Sequence, residues 1–348
     1  MAGSRLLRAV AAVPFLFIAV WCARAMDVNK LKANQQPFED SGVVEWEGGK
    51  ITLIDHFYGV GWLDEIWRGA SVTFSPSTLG FDSVSWWQMI TFLTDIGPVY
   101  AIWILESYRV GSAFTPVYYP TLFSFGGQLL GIGPVAPIFY FLLLVTGPSG
   151  SDLARLSPKD RTVQHPSWLL LLLVLGLHTS EVFLMYFSSD LTARHYWTWA
   201  WQMSPLWIGI GSALSTAIIK PLFPKATLKS PALILAVLGL VSTGVCVYGR
   251  LFSPYSPSTL FIPLAEPQTG FVEHSRKALQ SDFIGLFSSS HLWLLYSFFD
   301  LYSAGLLGAN WVFNIALLPL IAAVAGPGTA FAFGYYQRER ALLSAKKL

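Results

Sequence analysis

WWQMITFLTDIGPVYAIWILESYR, residues 86–109, is the apolar stretch around which the other apolar blocks can be arranged. It is one bilayer crossing long, since a span takes about 20 mostly apolar residues. Two acids interrupt it, Asp95 and Glu106. Eleven helical residues make three turns plus roughly 20°, so both carboxyls fall on one face, about 16 Å apart along the axis. Carboxyls within a span are costly and turn toward a bundle interior or a cavity. The remaining apolar blocks are therefore read as a cage around that face.

Composition supports this frame. Of 348 residues, 53% are hydrophobic and 15% aromatic, while only 12% are charged; a soluble domain carries about 25% charged residues. A net charge of +2 gives no field for nucleic acid, so none is expected as a partner. Cys22 and Cys246 both fall in apolar runs and define neither a disulfide framework nor a thiolate metal site.

Outward from the organising span, residues 1–25 read as a signal peptide or signal anchor, with Arg5 and Arg8 before a short apolar run and an A-x-A site at 23–25. Residues 26–85 read as a polar and interfacial segment. After residue 80 the apolar blocks 86–109, 121–147, 168–187, 197–219, 232–249, 283–306 and 310–335 predict seven spans, with 250–282 as a long polar loop and 336–348 as a basic tail. The expected fold is an all-α, polytopic transmembrane bundle with seven core spans plus an N-terminal signal or further span. A multi-pass protein of the endoplasmic reticulum, with the lipid bilayer as a partner, is the expected setting.

Four carboxyls lie in these runs: Asp95, Glu106, Glu181 and Asp300. A carboxyl kept neutral by an apolar cavity is a Brønsted acid; the bland alternative is a helix-to-helix hydrogen bond. Glu106 beside Arg109 also reads as an interfacial ion pair. Trp293, Tyr296 and Asp300 are spaced to share one helix face. Rings on such a face either stabilise a cation or simply pack. His178 and Glu181 share a face as a relay. A metal is discounted because no third ligand stands at a telling spacing. Trp197, Trp201 and Trp207, with Gln202, supply an indole-rich wall, or a belt at the interface. The G-x-G-x-x-G and G-x-x-x-x-G-K-[ST] fingerprints are absent, so no cofactor is expected.

Three stretches, residues 64–109 (DEIWRGASVTFSPSTLGFDSVSWWQMITFLTDIGPVYAIWILESYR), 197–208 (WTWAWQMSPLWI) and 292–305 (LWLLYSFFDLYSAG), resemble the fungal integral-membrane terpene cyclases of meroterpenoid pathways. The resemblance implies proton-initiated cyclisation of a prenyl chain, of farnesyl type and often epoxidised, on an aromatic or polyketide-derived ring, alongside other pathway enzymes. It places the acids at Glu106 and Asp300, with Asp95 and Glu181 next. The longer N-terminal segment and the 250–282 loop depart from the short members of that family and leave the substrate open. A sterol isomerase of the emopamil-binding type and a seven- or eight-span receptor or transporter are the alternatives.

Overall fold

The computed structural model describes residues 5–164, 167–219, 222, 228 and 230–344. The first six long helices are α1 (Arg5–Met26), α2 (Val28–Ser41), α3 (Gly61–Thr78), α4 (Ser83–Ser107), α5 (Pro120–Leu130) and α6 (Ile132–Thr146). A small antiparallel hairpin, β1 (Val43–Trp46) and β2 (Gly49–Thr52), lies between α2 and α3, with Val44 opposite Ile51. It seals a satellite core of Val44, Ile51, Leu53, Val72 and Leu79, so the expectation of helix alone is corrected here. The later long helices span Trp168–Phe187, Ala232–Phe252, Phe271–Ser303 and Pro327–Ser344.

The helix read first from sequence is the central one. Asp82 caps α4 by accepting from the Ser85 amide at 3.3 Å, satisfying a donor the first turn would leave bare. Every residue from Gln88 to Ser107 is buried. Helices α3, Ala232–Phe252 and Pro327–Ser344 pack around it, while α1, α6 and Phe271–Ser303 form a second packed group beside it. Because α4 is enclosed all round, no single face of it is the inside.

The structure shows the seven-span expectation in part. Four helices among the described residues are long and apolar enough to cross a membrane: Arg5–Ser41, Ser83–Ser107, Trp168–Phe187 and Ala232–Phe252. Two blocks expected as spans are broken by glycine. Gly131 (φ +88°) divides α5 from α6, and Gly326 (φ +95°) divides Trp311–Ala325 from Pro327–Ser344. Such left-handed backbone costs glycine little and other residues much. The block at 197–219 divides at Met203, leaving Leu191–Gln202 and Ser204–Leu214. Residues 271–282, expected in a loop, are instead the opening turns of the 33-residue helix Phe271–Ser303.

Candidate functional site

A cavity of about 630 Å³ lies between α2, α3, α4, the α5–α6 junction and the 271–303 helix. This is within the roughly 300–1,000 Å³ of small-molecule sites. Met89, Phe92, Leu93 and Ile96 of α4 and Phe74 of α3 give it apolar walls, with the Trp201 indole and the Tyr100 ring beside them. Trp62, Ile66, Leu129 and Leu130 line it and are exposed, giving the mouth an oily lip.

One buried carboxyl lines this cavity from the 271–303 helix. Asp282 is 7% exposed, and its Oδ1 accepts from the Gly133 amide at 2.5 Å. That amide belongs to the first turn of α6, where unsatisfied N–H groups favour negative charge. Burial nevertheless pushes Asp282 up to about 7, against the pull of the Gly133 and Ile132 amides. A carboxyl that titrates near neutrality is suited to give or take a proton.

Glycines make this approach possible. A Cβ on Gly133 would stand 2.5 Å from the Asp282 carbonyl oxygen. One on Gly285 would stand 2.7 Å from the Gly133 carbonyl oxygen and 2.8 Å from Cys22 Sγ. The Cys22 thiol donates to the Ser281 carbonyl at 3.2 Å, tying α1 to the same crossing.

Glu106, Trp293 and Asp300 come together elsewhere, at a pocket of about 20 Å³ shared with Arg8, Ser297 and Arg338. That space suits about one water molecule. Glu106 accepts from Tyr335 Oη at 2.7 Å, Arg338 Nη1 at 2.9 Å and Arg109 Nε at 3.2 Å. Glu339 accepts from Arg109, from Arg338 at 3.2 Å and from the Val163 amide at 3.1 Å. Two guanidiniums thus balance two carboxylates, and the Arg338 guanidinium also lies 5.3 Å from the Trp293 ring centre. Asp300 accepts from the Gly150 amide at 2.7 Å, at the start of helix Gly150–Arg155.

The other sequence-predicted residues are dispersed. Asp95 is fully buried and accepts from the Ser242 hydroxyl, where Gly328 crosses α4 closely enough that a Cβ would stand 2.7 Å from Asp95 Oδ1. His178 lies in a π-helical turn, Leu175–Thr179. Its Nε2 donates to the Leu93 carbonyl at 2.7 Å, and its Nδ1 accepts from Trp201 Nε1 at 3.1 Å. One nitrogen donating and the other accepting fixes the tautomer. Trp201 is thus both a cavity wall and the far end of that chain. Glu181 is buried, and Gln202 is wholly buried with both side-chain polar atoms unpartnered among the described residues. Tyr296 packs on Phe15 with centroids 5.8 Å apart, Trp197 on Tyr196 at 5.5 Å, and Trp207 is 42% exposed.

Sequence reasoning missed Asp282, Tyr100 and Trp67, all of which line the large cavity. The signal for Asp282 was helical spacing: Ala278, Leu279, Asp282, Gly285, Leu286 and Ser289 follow the three-and-four rhythm of a buried face.

The described residues form a mostly helical bundle with an apolar-walled cavity that one buried carboxyl lines. The chain belongs to the CtvD domain family, whose model matches residues 15–343. Among curated proteins it is 28% identical over 355 residues to the FAD-dependent monooxygenase verC1 of Penicillium polonicum, covering 97% of this chain and 43% of that protein. It is 26% identical to the FAD-dependent monooxygenase anuJ of Penicillium roqueforti, covering 89% and 39%. It is 24% identical to the FAD-dependent monooxygenase BOA8 of Botryotinia fuckeliana, covering 78% and 36%. The chain therefore spans about two fifths of the length of these relatives. No solved structure matches it.

These findings correct the sequence reading of family and activity. The family is not that of the terpene cyclases, and the relatives are named as oxidoreductases rather than as isomerases or lyases. Neither the sterol isomerase nor the receptor or transporter alternative gains support. The likeness had rested on aromatic-rich apolar helices carrying isolated acids, a composition that packing alone can select.

The relatives' names imply flavin adenine dinucleotide, and this chain's residues do not fit it. The only sheet among the described residues is the two-stranded hairpin, whereas dinucleotide cradles join a parallel strand to a helix. GIGPVA at 131–136 has a related glycine spacing, but it follows helix α5, and Asp282 already takes the Gly133 amide. Glu39, Glu65 and Asp282 line the large cavity against one cation, Lys32, which disfavours a pyrophosphate.

Proposed function

We propose that this chain is a membrane-embedded helical module of oxidative tailoring in fungal secondary metabolism, holding an apolar small molecule. In this reading oxygenation is carried by a flavin-dependent protein or segment corresponding to the part of the relatives that this chain does not match. The cavity receives the oily substrate, Tyr100 and the α4 side chains orient it, and Asp282 gives or takes a proton at an oxygen function on it. The relatives' names and their greater length support the division of labour. Four apolar helices of sufficient length support the membrane setting. One observation carries the reading: a cavity of about 630 Å³ lined by a single deeply buried carboxyl, held on a helix N-terminus and titrating near 7.

The test is conversion in microsomes from a host that expresses this chain with a flavin monooxygenase from the same source. Asp282→Asn keeps the shape but not the acid. It is expected to slow conversion of the oxygenated intermediate by about 10²–10⁴, the usual contribution of a positioned acid or base. Intermediate should accumulate at unchanged protein level. Conversion at the parental rate would remove Asp282 from the chemistry.

A further inference from the structure

Two residues in the wall of the large cavity carry hydrogen-bond donors that have no partner among the described residues. Trp67, on α3, is wholly buried, and its indole Nε1 has no acceptor among the described residues. The Nε2 of Gln128, on α5, is likewise buried and unpartnered among them. Both residues line the cavity. Phe125 links them: the Trp67 ring meets Phe125 edge-on, with centroids 6.1 Å apart, and Phe125 stands about one helical turn before Gln128 on α5. A buried donor left unsatisfied is costly, and native interiors rarely tolerate one without a reason.

We infer that Trp67 and Gln128 form a recognition site for a neutral carbonyl oxygen on the substrate, so that the ligand class is an elongated apolar molecule bearing an ester, lactone or ketone. This rests on the proposed role of the cavity as the substrate site. Charge argues for a neutral acceptor, because Glu39, Glu65 and Asp282 line the same space against Lys32 alone and would repel a carboxylate or phosphate. Shape argues for length. Residues from Val28 to Glu39 of α2 line the cavity, a run of roughly 16 Å at 1.5 Å per helical residue.

The experiment uses the full chain in mild detergent with two probes of equal heavy-atom count, methyl laurate labelled with carbon-13 at the carbonyl, and pentadecane. Isotope-edited infrared spectra read hydrogen bonding at the ester carbonyl, and competition between the probes reads preference. The parental protein should lower the carbonyl stretch of bound ester and prefer ester over alkane by about tenfold, the discrimination expected of one net hydrogen bond. Trp67→Phe and Gln128→Leu should each keep pentadecane binding while reducing that preference to about threefold or less and weakening the shift. Ester bound without a carbonyl shift in the parent, or a shift unchanged in both variants, overturns the donor site while leaving the cavity reading intact. Failure of the parent to bind either probe overturns the cavity reading as well. If Trp67→Phe loses both probes through misfolding, Gln128→Leu, at a half-buried position, decides the matter.

Discussion

Asp282 offers its carboxyl to the first amides of α6, yet burial holds it up at about 7 against a usual value of 3.8. The folded protein therefore keeps this proton over a range in which the unfolded chain has lost it. The stabilisation is fully present below about pH 4 and is lost as pH rises through about 7. His195 works in the opposite sense: burial lowers it to about 4, and its Nε2 accepts from the Ile54 amide at 3.2 Å, so folding loses stability as pH falls from about 6.5 through 4. Comparing parent with Asp282→Asn isolates the carboxyl. Thermal unfolding in detergent should show the parent's advantage shrinking between about pH 4 and 7, and a constant difference would contradict the assignment. Glu106 is a buried carboxyl of another kind, paired with two guanidiniums. Glu106→Gln leaves Arg109 and Arg338 facing Glu339 alone, and should cost about 3–5 kcal/mol, as breaking a buried pair does. Chemical denaturation measures this. Replacing Glu106 and Arg338 together by apolar residues should recover part of the loss.

At the scale of elements, the crossing of α1, α6 and the 271–303 helix depends on absent side chains. Gly285→Ala would place a methyl against backbone oxygen and the Cys22 sulfur, neither of which sits at the end of a flexible chain. It should destabilise the protein by about 1–3 kcal/mol, in the range of overpacked cores, and raise Cys22 labelling by a membrane-permeant maleimide. Unchanged labelling and melting would mean that the helices part without cost. The central helix was legible in sequence because residues 86–109 combine length and apolarity. Which carboxyl faced a cavity was not legible, because α4 is buried on every side and its angular positions carry no contrast. The 271–303 helix was hidden by its first turns: Glu273, His274, Arg276 and Lys277 read as loop, although the buried positions between them keep helical spacing. Gly131 and Gly326 were visible, but a glycine in an apolar run reads equally as tolerated or as a break, and only left-handed backbone separates the two.

Taken whole, the chain combines a family match over residues 15–343 with described residues that give a dinucleotide no cradle. Purified from a host rich in flavin, it should carry no flavin absorbance, while a co-expressed flavin monooxygenase retains its own. Stoichiometric flavin on this chain alone would contradict the division of labour proposed above. The acids that the resemblance singled out, Glu106 and Asp300, do share a pocket, but one with room for about one water rather than for a prenyl chain. The exposed ring of Trp62, Ile66, Leu129 and Leu130 at the mouth of the large cavity bears on kinetics. In the membrane setting proposed above, an entrance edged with oil would draw its ligand from a two-dimensional solvent, and the concentration governing capture would be the mole fraction in lipid rather than the amount per litre. Adding empty vesicles at fixed substrate should then slow turnover by surface dilution, whereas doubling the buffer volume should leave it unchanged.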